Sequence, residues 1–299
     1  DRRHSRLRYL IEEWGIGRFV EETEHYLGKA IRRSPEHLPS FKPERRRHTH
    51  IGVHPQRQSA LNYVGIVVPV GRLSVPQMEI LAHLAETYGN GEFRLTIWQN
   101  LLLTNVPDEN ITLVKQHLIA VGLHYESSHM SGKIVACAGS SGCRLSNTNT
   151  KQHALALGKY LADKITLQDD ISIYVAGCPN SCVRHHTADI GVVGTLAKGI
   201  AGNLVEAYHI YMGGSIDERT EIGQEVCLFV PYMELRPLIA RTLDYFKDNR
   251  QSGESFTAFI KRHNRDDLRL AIKAHSSELP VSDASSVPKQ PLKKKGVGC

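Results

Sequence analysis

The first periodic stretch runs over residues 2–27, where Leu7, Leu10, Ile11, Trp14, Phe19 and Val20 recur at roughly helical spacing and predict a helix interrupted at Gly15. Residues 38–49, with Pro39, Pro43 and Arg45-Arg46-Arg47, read as a linker. The period then changes. Residues 62–70 form a β-branched run that predicts a buried strand. Gly71 and Ser74 open a helix with Met78, Ile80, Leu81, Leu84 and Ala85 inward, and Gly89-Asn90-Gly91 closes it. Residues 93–106 read as a strand pair and 111–121 as a second helix. The order β-α-β-β-α predicts an α+β half-domain with helices on one face of an antiparallel sheet.

Further on, residues 133–138 predict a short strand, 150–165 an amphipathic helix with Ala154, Leu155, Leu157, Leu161 and Ala162 inward, and 171–176 another strand. Strands over 187–193 and 207–212 follow, then helices over 233–246 and 255–261. Beyond Ala274 the periodicity stops, and the Ser-, Pro- and Lys-rich remainder reads as a disordered basic tail.

Composition adds compartment and charge. Apolar content of 41% and charged content of 23% are globular values. No apolar run reaches the length of a membrane span and no signal-peptide pattern opens the sequence, so a cytoplasmic setting is expected. The net charge of +6 favours acidic partners. No nucleic-acid-binding motif accompanies it, so an acidic protein partner is the better expectation.

The chemistry concentrates between Cys137 and Cys182. Cys137-Ala-Gly-Ser-Ser-Gly-Cys143 and Gly177-Cys178-Pro-Asn-Ser-Cys182 are two cysteine-bearing turns separated by one predicted helix, so four thiolates can converge on one object. Six cysteines in 299 residues is ordinary usage for a reducing compartment, which makes disulfides the weakest reading. Zinc sites mostly close loops of two to four residues, and the first turn here is more open. An iron–sulfur cube is wider, and its sulfides need backbone N–H donors, which Gly139, Ser140, Ser141 and Gly142 can supply. In the second turn Pro179 removes one N–H and fixes φ, while Asn180 and Ser181 favour a tight turn. Spacing alone favours a four-iron cluster over zinc, and zinc over structural cysteines.

These two turns, followed by Ala188-Asp189-Ile190-Gly191-Val192-Val193-Gly194, resemble the cluster and sirohaem region of the assimilatory nitrite and sulfite reductases. The likeness extends to Gly52-Val53-His54-Pro55-Gln56, Tyr63-Val64-Gly65, Pro69-Val70-Gly71-Arg72, Arg94-Leu95-Thr96 with Gln99-Asn100, and Tyr211-Met212-Gly213-Gly214. The second cysteine turn and the Ala-Asp-Ile-Gly run resemble the ferredoxin-dependent nitrite reductases more than the sulfite reductase haemoprotein, which tends to carry Gly at the place of Ser181.

The resemblance implies an α+β fold, a ferredoxin-like half-domain followed by a sirohaem and 4Fe-4S domain. It divides the chain into the end of a first repeat with linker (1–44), the half-domain (45–130), the cluster domain (131–270) and the tail (271–299). It implies Cys137, Cys143, Cys178 and Cys182 as ligands of a 4Fe-4S cluster, with Cys182 also the axial ligand of the sirohaem iron. The implied reaction is six-electron reduction of nitrite to ammonia by a monomer fed by ferredoxin, in the plastid stroma if the source is a plant or alga. Sulfite reduction is the rival reaction, and a non-catalytic iron–sulfur binding module the rival of another class.

No catalytic residue is identifiable. The resemblance places the substrate-binding Arg and Lys in a first repeat, near whose end this sequence opens. Arg45-Arg46-Arg47 and Arg57 are candidate docking charges for the donor. Arg184, His185 and His186 lie near Cys182 in sequence; the two histidines are read as surface or supporting residues, Cys227 as a packed thiol and Cys299 as an exposed tail residue.

Overall fold

The computed structural model describes residues 7–32, 50–126, 130–165, 169–199, 202–216 and 221–274. The linker, Arg45-Arg46-Arg47, the tail and Cys299 lie outside them. Contacts divide the chain into two units, one within Asp1–Pro43 and the other within Glu44–Cys299.

The first unit contains one described helix, α1 (Leu7–Leu27). Gly15, at φ 78° and ψ 155°, leaves helical geometry inside it. A residue with a Cβ rarely takes that φ, so the predicted interruption has a backbone cause. Leu10, Ile11, Trp14, Phe19 and Val20 are half-buried, and the Arg18 guanidinium lies 4.7 Å from the Trp14 ring centroid.

The second unit opens with a four-stranded antiparallel sheet built from β1 (Gly52–Pro55), β2 (Leu61–Ile66), β3 (Phe93–Leu95) and β4 (Leu101–Pro107), in the order β1-β2-β4-β3. Helices α2 (Val75–Tyr88) and α3 (Ile111–Ala120) supply its apolar layer, with Val64, Ile66, Leu81, Leu84, Leu103, Val114 and Leu118 buried together. Ser74 accepts from Gln77 N–H while the Gln77 side chain accepts from Ser74 N–H, a reciprocal cap that fixes the start of α2.

The β-α-β-β-α order is present, with β1 added in front of it. That strand is short and ends on Pro55, which an edge position tolerates because no ladder donor is needed there. The second strand stops at Ile66 rather than 70, because Val67 bridges to His124 and Val68 N–H donates to the Asn100 side chain. Met78, expected inward, is 55% exposed.

The second sheet is mixed: β5 (Ile134–Ala136), β6 (Ile173–Ala176) and β7 (Ile190–Lys198) run parallel, and β8 (Leu204–Met212) and β9 (Gln224–Pro231) continue antiparallel, in the order β5-β6-β7-β8-β9. Helix α4 (Thr150–Lys164) connects β5 to β6, and α5 (Tyr232–Asn249), α6 (Phe256–Arg262) and α7 (Arg265–Ala274) follow the sheet. The core joins Leu157, Leu161, Ile173, Val175, Ile190, Val192, Tyr208 and Ile210 to Leu243, Phe246, Phe259 and Leu268. The buried face of α4 is His153, Ala154, Leu157, Gly158 and Leu161, a regular helical stripe; Leu155 and Ala162, expected inward, are exposed.

Asp189 ties the start of β6, the start of β7 and α6 together. Its carboxylate accepts from Ser172 N–H at 2.9 Å, Ser172 Oγ at 2.8 Å and Thr257 Oγ1 at 3.2 Å. No helix of the described residues is long and apolar enough to cross a membrane.

Candidate metal centre

Parallel pairing of β5 with β6 places the ends of both strands on one edge, and each strand runs directly into a cysteine turn. That edge is where ligands of parallel sheets collect, since the chain reverses there and leaves backbone N–H groups unpaired. Cys137 N–H donates to Val175 O at 3.0 Å, which extends the ladder by one step before the first turn leaves it.

The two turns are fastened to each other. Asn147 N–H donates to Gly177 O at 2.8 Å, and Gly177 N–H donates to Cys137 Sγ at 3.2 Å. The second contact is an amide aimed at a thiol sulfur, the arrangement that stabilises a metal-bound thiolate. Thr150, at the start of α4, donates from Oγ1 to Cys137 O at 2.7 Å and lies 3.6 Å from Cys137 Sγ.

Glycines permit this approach. A Cβ on Gly177 would come within 1.9 Å of Ser146 Oγ, and one on Gly194 within 2.7 Å of Gly177 O. Cys137, Cys143 and Cys178 are half-buried and Cys182 is exposed. Among the described residues no three His, Cys, Asp or Glu side chains are grouped so that they could hold a metal ion. Ser181 sits at φ 57° and Arg184 at φ 56°, left-handed positions that bend the turn after Cys178 and again after Cys182.

Residues of the half-domain reach this centre through the turn between β3 and β4. Gln99, at φ 63°, donates from Nε2 to Ala136 O at 2.8 Å and accepts from Ala136 N–H at 3.3 Å, so its amide pairs with the outer edge of β5 as another strand would. Trp98 and Cys137 both pack against the buried cluster that includes Tyr174 and Val183, and the Trp98 Nε1–H donates to Tyr174 OH at 3.1 Å. Asn100 is buried and donates to Gly132 O. Arg94 is exposed and pairs with Glu92 at 2.9 Å. Arg94 thus faces solvent, whereas Gln99 and Asn100 tie the half-domain to β5 and the segment before it.

Pattern reading also missed Lys151, whose Nζ donates to Val70 O and, at 3.3 Å, to Gln99 Oε1. Its partners are 81 and 52 residues away in sequence, so no local signal marks it.

His185 and His186 follow the second turn in a 3-10 segment, their rings 3.7 Å apart and packed on Tyr211. His185 is 2% exposed, not a surface residue, and its Nδ1 has no hydrogen-bond partner. Burial, with the neighbouring His186, holds its imidazole down at about 4. A base kept neutral in the fold binds fewer protons than in the unfolded chain, so its share of stability is full above pH 6.5 and is lost as pH falls towards 4. The gap is worth on the order of 3 kcal/mol. His185→Val is expected to flatten the decline of the denaturation midpoint between pH 6.5 and 4; an unchanged decline would place the titrating group elsewhere.

Two sequence families match the chain consecutively: the nitrite/sulfite reductase ferredoxin-like half domain over residues 54–121, and the nitrite and sulphite reductase 4Fe-4S domain over residues 131–278. The chain belongs to the nitrite and sulfite reductase family. Within that family, it is 37% identical over 246 residues to a chloroplastic ferredoxin–nitrite reductase of Arabidopsis thaliana, covering 81% of this chain and 42% of the relative. It is 33% identical over 276 residues to sulfite reductase (ferredoxin) 2 of Mycolicibacterium paratuberculosis, covering 90% and 49%. The structure of the Mycobacterium tuberculosis NirA protein superposes with a TM-score of 0.77 at 32% identity, over 88% of this chain and 49% of that one. The chain thus spans about half the length of the reductases it matches. Similarity of this size to both kinds of relative leaves the substrate to chemistry.

Proposed function

We propose that this chain carries the cluster-and-haem side of a ferredoxin-dependent reductase that takes nitrite to ammonia. The observation that carries the reading is the pair of cysteine turns on one sheet edge, fastened by the Gly177 amide on Cys137 Sγ. Gly-rich turns and an amide aimed at sulfur suit a 4Fe-4S cluster, and the exposed Cys182 suits a thiolate shared with a second metal centre.

When bound, the cluster and sirohaem supply one-electron chemistry at an iron that can hold the nitrogen atom, which no side chain can provide. The chain's own residues do the rest. Cys137, Cys143, Cys178 and Cys182 would hold the cluster, Cys182 would also be the thiolate offered to the haem iron, and the Gly177 N–H would stabilise sulfur charge. The Gln99 amide keeps β5, and with it Cys137, in register.

Nitrite is preferred over sulfite on the second cysteine turn and the Ala188-Asp189-Ile190-Gly191 run, which resemble the nitrite branch. Sulfite is the second reading, because the Mycolicibacterium paratuberculosis sulfite reductase aligns over 90% of this chain. Assaying the intact protein with reduced methyl viologen decides between them. The expected kcat/KM for nitrite exceeds that for sulfite on the order of tenfold or more; the reverse ratio would move the chain to the sulfite branch.

The electron donor is proposed to be an acidic one-electron protein. Exposed Arg144 stands directly after Cys143 and exposed Arg184 two residues after Cys182, where a docking charge lies close to the metal centre, and exposed Arg57 is a third candidate. The ferredoxin-driven rate is expected to fall steeply as salt rises past about 0.1 M, where the Debye length is about 10 Å. Methyl viologen, which needs no docking, serves as the control. Salt-independent ferredoxin kinetics would remove the electrostatic docking face.

A further inference from the structure

Lys151, on α4 of the cluster domain, reaches across to the half-domain with two hydrogen bonds, and one of its acceptors, Gln99, is bonded in turn to the strand that leads into the first cysteine turn. Its Nζ donates to Val70 O, in the segment that follows β2, and to Gln99 Oε1. Gln99 is itself paired in both directions with Ala136, the residue before Cys137. Thr150, the residue before Lys151, holds the Cys137 carbonyl and lies against the Cys137 sulfur.

Holding the ammonium here has cost backbone freedom elsewhere. Val70 sits at φ 48° and Gln99 at φ 63°, both left-handed, so the two oxygens that clamp Nζ come from residues in uncommon conformations. Gly71, at φ 68°, lets Gln99 pack within 3.1 Å of where its Cβ would stand. Half-burial and the nearby Arg72 lower the Lys151 pKa, while the Cys137 thiolate favours its charged form. A cation kept in a half-buried place beside another cation is not there for its own stability.

We propose that Lys151 is a positioning residue that fixes a positive charge beside Cys137 and so raises the reduction potential of the cluster those cysteines hold. This rests on the cluster reading above. Reducing a cluster adds one negative charge, so a cation held on Gln99, whose amide is bonded to the residue before Cys137, favours the reduced form. Two acceptor oxygens and no carboxylate contact Nζ among the described hydrogen bonds, so its charge remains available to the thiolate centre.

The test is a dithionite titration of the intact, cluster-loaded protein followed by electron paramagnetic resonance, on the wild type, Lys151→Arg and Lys151→Gln. Lys151→Gln is expected to lower the reduced-to-oxidised ratio at fixed potential about tenfold, about 59 mV for one electron, at unchanged iron content. Lys151→Arg keeps the charge and is expected to titrate with the wild type. A loaded Lys151→Gln protein with the wild-type potential overturns the proposal, as does an equal shift in the Arg and Gln variants, which would point to geometry alone.

Should Lys151→Gln fail to load, Gln99→Glu decides: the new carboxylate against Nζ is expected to shift the potential in the same negative direction, and a wild-type value there also overturns it. A wild-type protein without iron and sulfide refutes the cluster reading itself, before Lys151 is reached.

Discussion

Cys182→Ser is expected to abolish reduction of nitrite and sulfite and to strip the protein of its visible haem absorption together with cluster iron. The side chain is exposed at the end of the second turn, and the proposed function gives it two bonds, one to the cluster and one to the sirohaem iron. Serine keeps the shape but offers a hard, weakly acidic oxygen where a soft thiolate is needed. Cys137→Ser, Cys143→Ser and Cys178→Ser lose cluster iron and sulfide as well, with a drop in Tm because cluster binding is coupled to folding of the turns. The contrast lies in the haem: the three other variants, reconstituted with sirohaem, can still offer a thiolate to its iron, whereas Cys182→Ser cannot. Full cluster content and a wild-type haem spectrum in Cys182→Ser would end the bridging role.

Gly194→Ala is expected to have an effect almost as large from a position that touches no metal. A methyl there would meet Thr148 Oγ1 at 2.4 Å and the backbone of Gly177 at 2.7 Å. The hydroxyl can rotate away, but the Gly177 carbonyl cannot, because it accepts from Asn147 N–H and so joins the two cysteine turns. Relief comes only by parting the turns. Overpacking of this kind costs about 1–3 kcal/mol, and here it also displaces the Gly177 amide from Cys137 Sγ. Circular dichroism melting together with iron analysis measures both parts. Normal iron content with an unchanged Tm would show that the turns tolerate separation and that the fastening has no function.

The elements carried by strong periodicity were legible in the sequence. The 3.6-residue stripe of α4 and the β-branched runs of β6 and β7 sit within a few residues of their predicted places. Elements with weak local signals were not: β1 is four residues long with a terminal proline, and β9 was not among the predicted strands. Helix α7 was not predicted, since half of its residues are charged and, among its described side chains, only Leu268 and Ile272 are buried.

For the candidate site, the four cysteines stand out by residue type and spacing, which are local properties. What surrounds them is not local. Gln99 and Lys151 act through partners 37 to 81 residues distant, and the tight approach of Gly194 to Gly177 exists only once β6 and β7 pair. His185, read as a surface or supporting residue, is the second and not the first, and sequence could not decide between them because only packing on Tyr211 buries it.

The central claim is that the two cysteine turns jointly hold one 4Fe-4S cluster whose Cys182 is shared with sirohaem. The most direct measurement is the iron and acid-labile sulfide content of the intact protein, purified without oxygen, read beside its visible spectrum. The account predicts about four sulfides per chain, one more iron than sulfide, and the strong visible bands of an isobacteriochlorin haem. Stoichiometric zinc with no sulfide, or a cluster without any haem absorption, would contradict it.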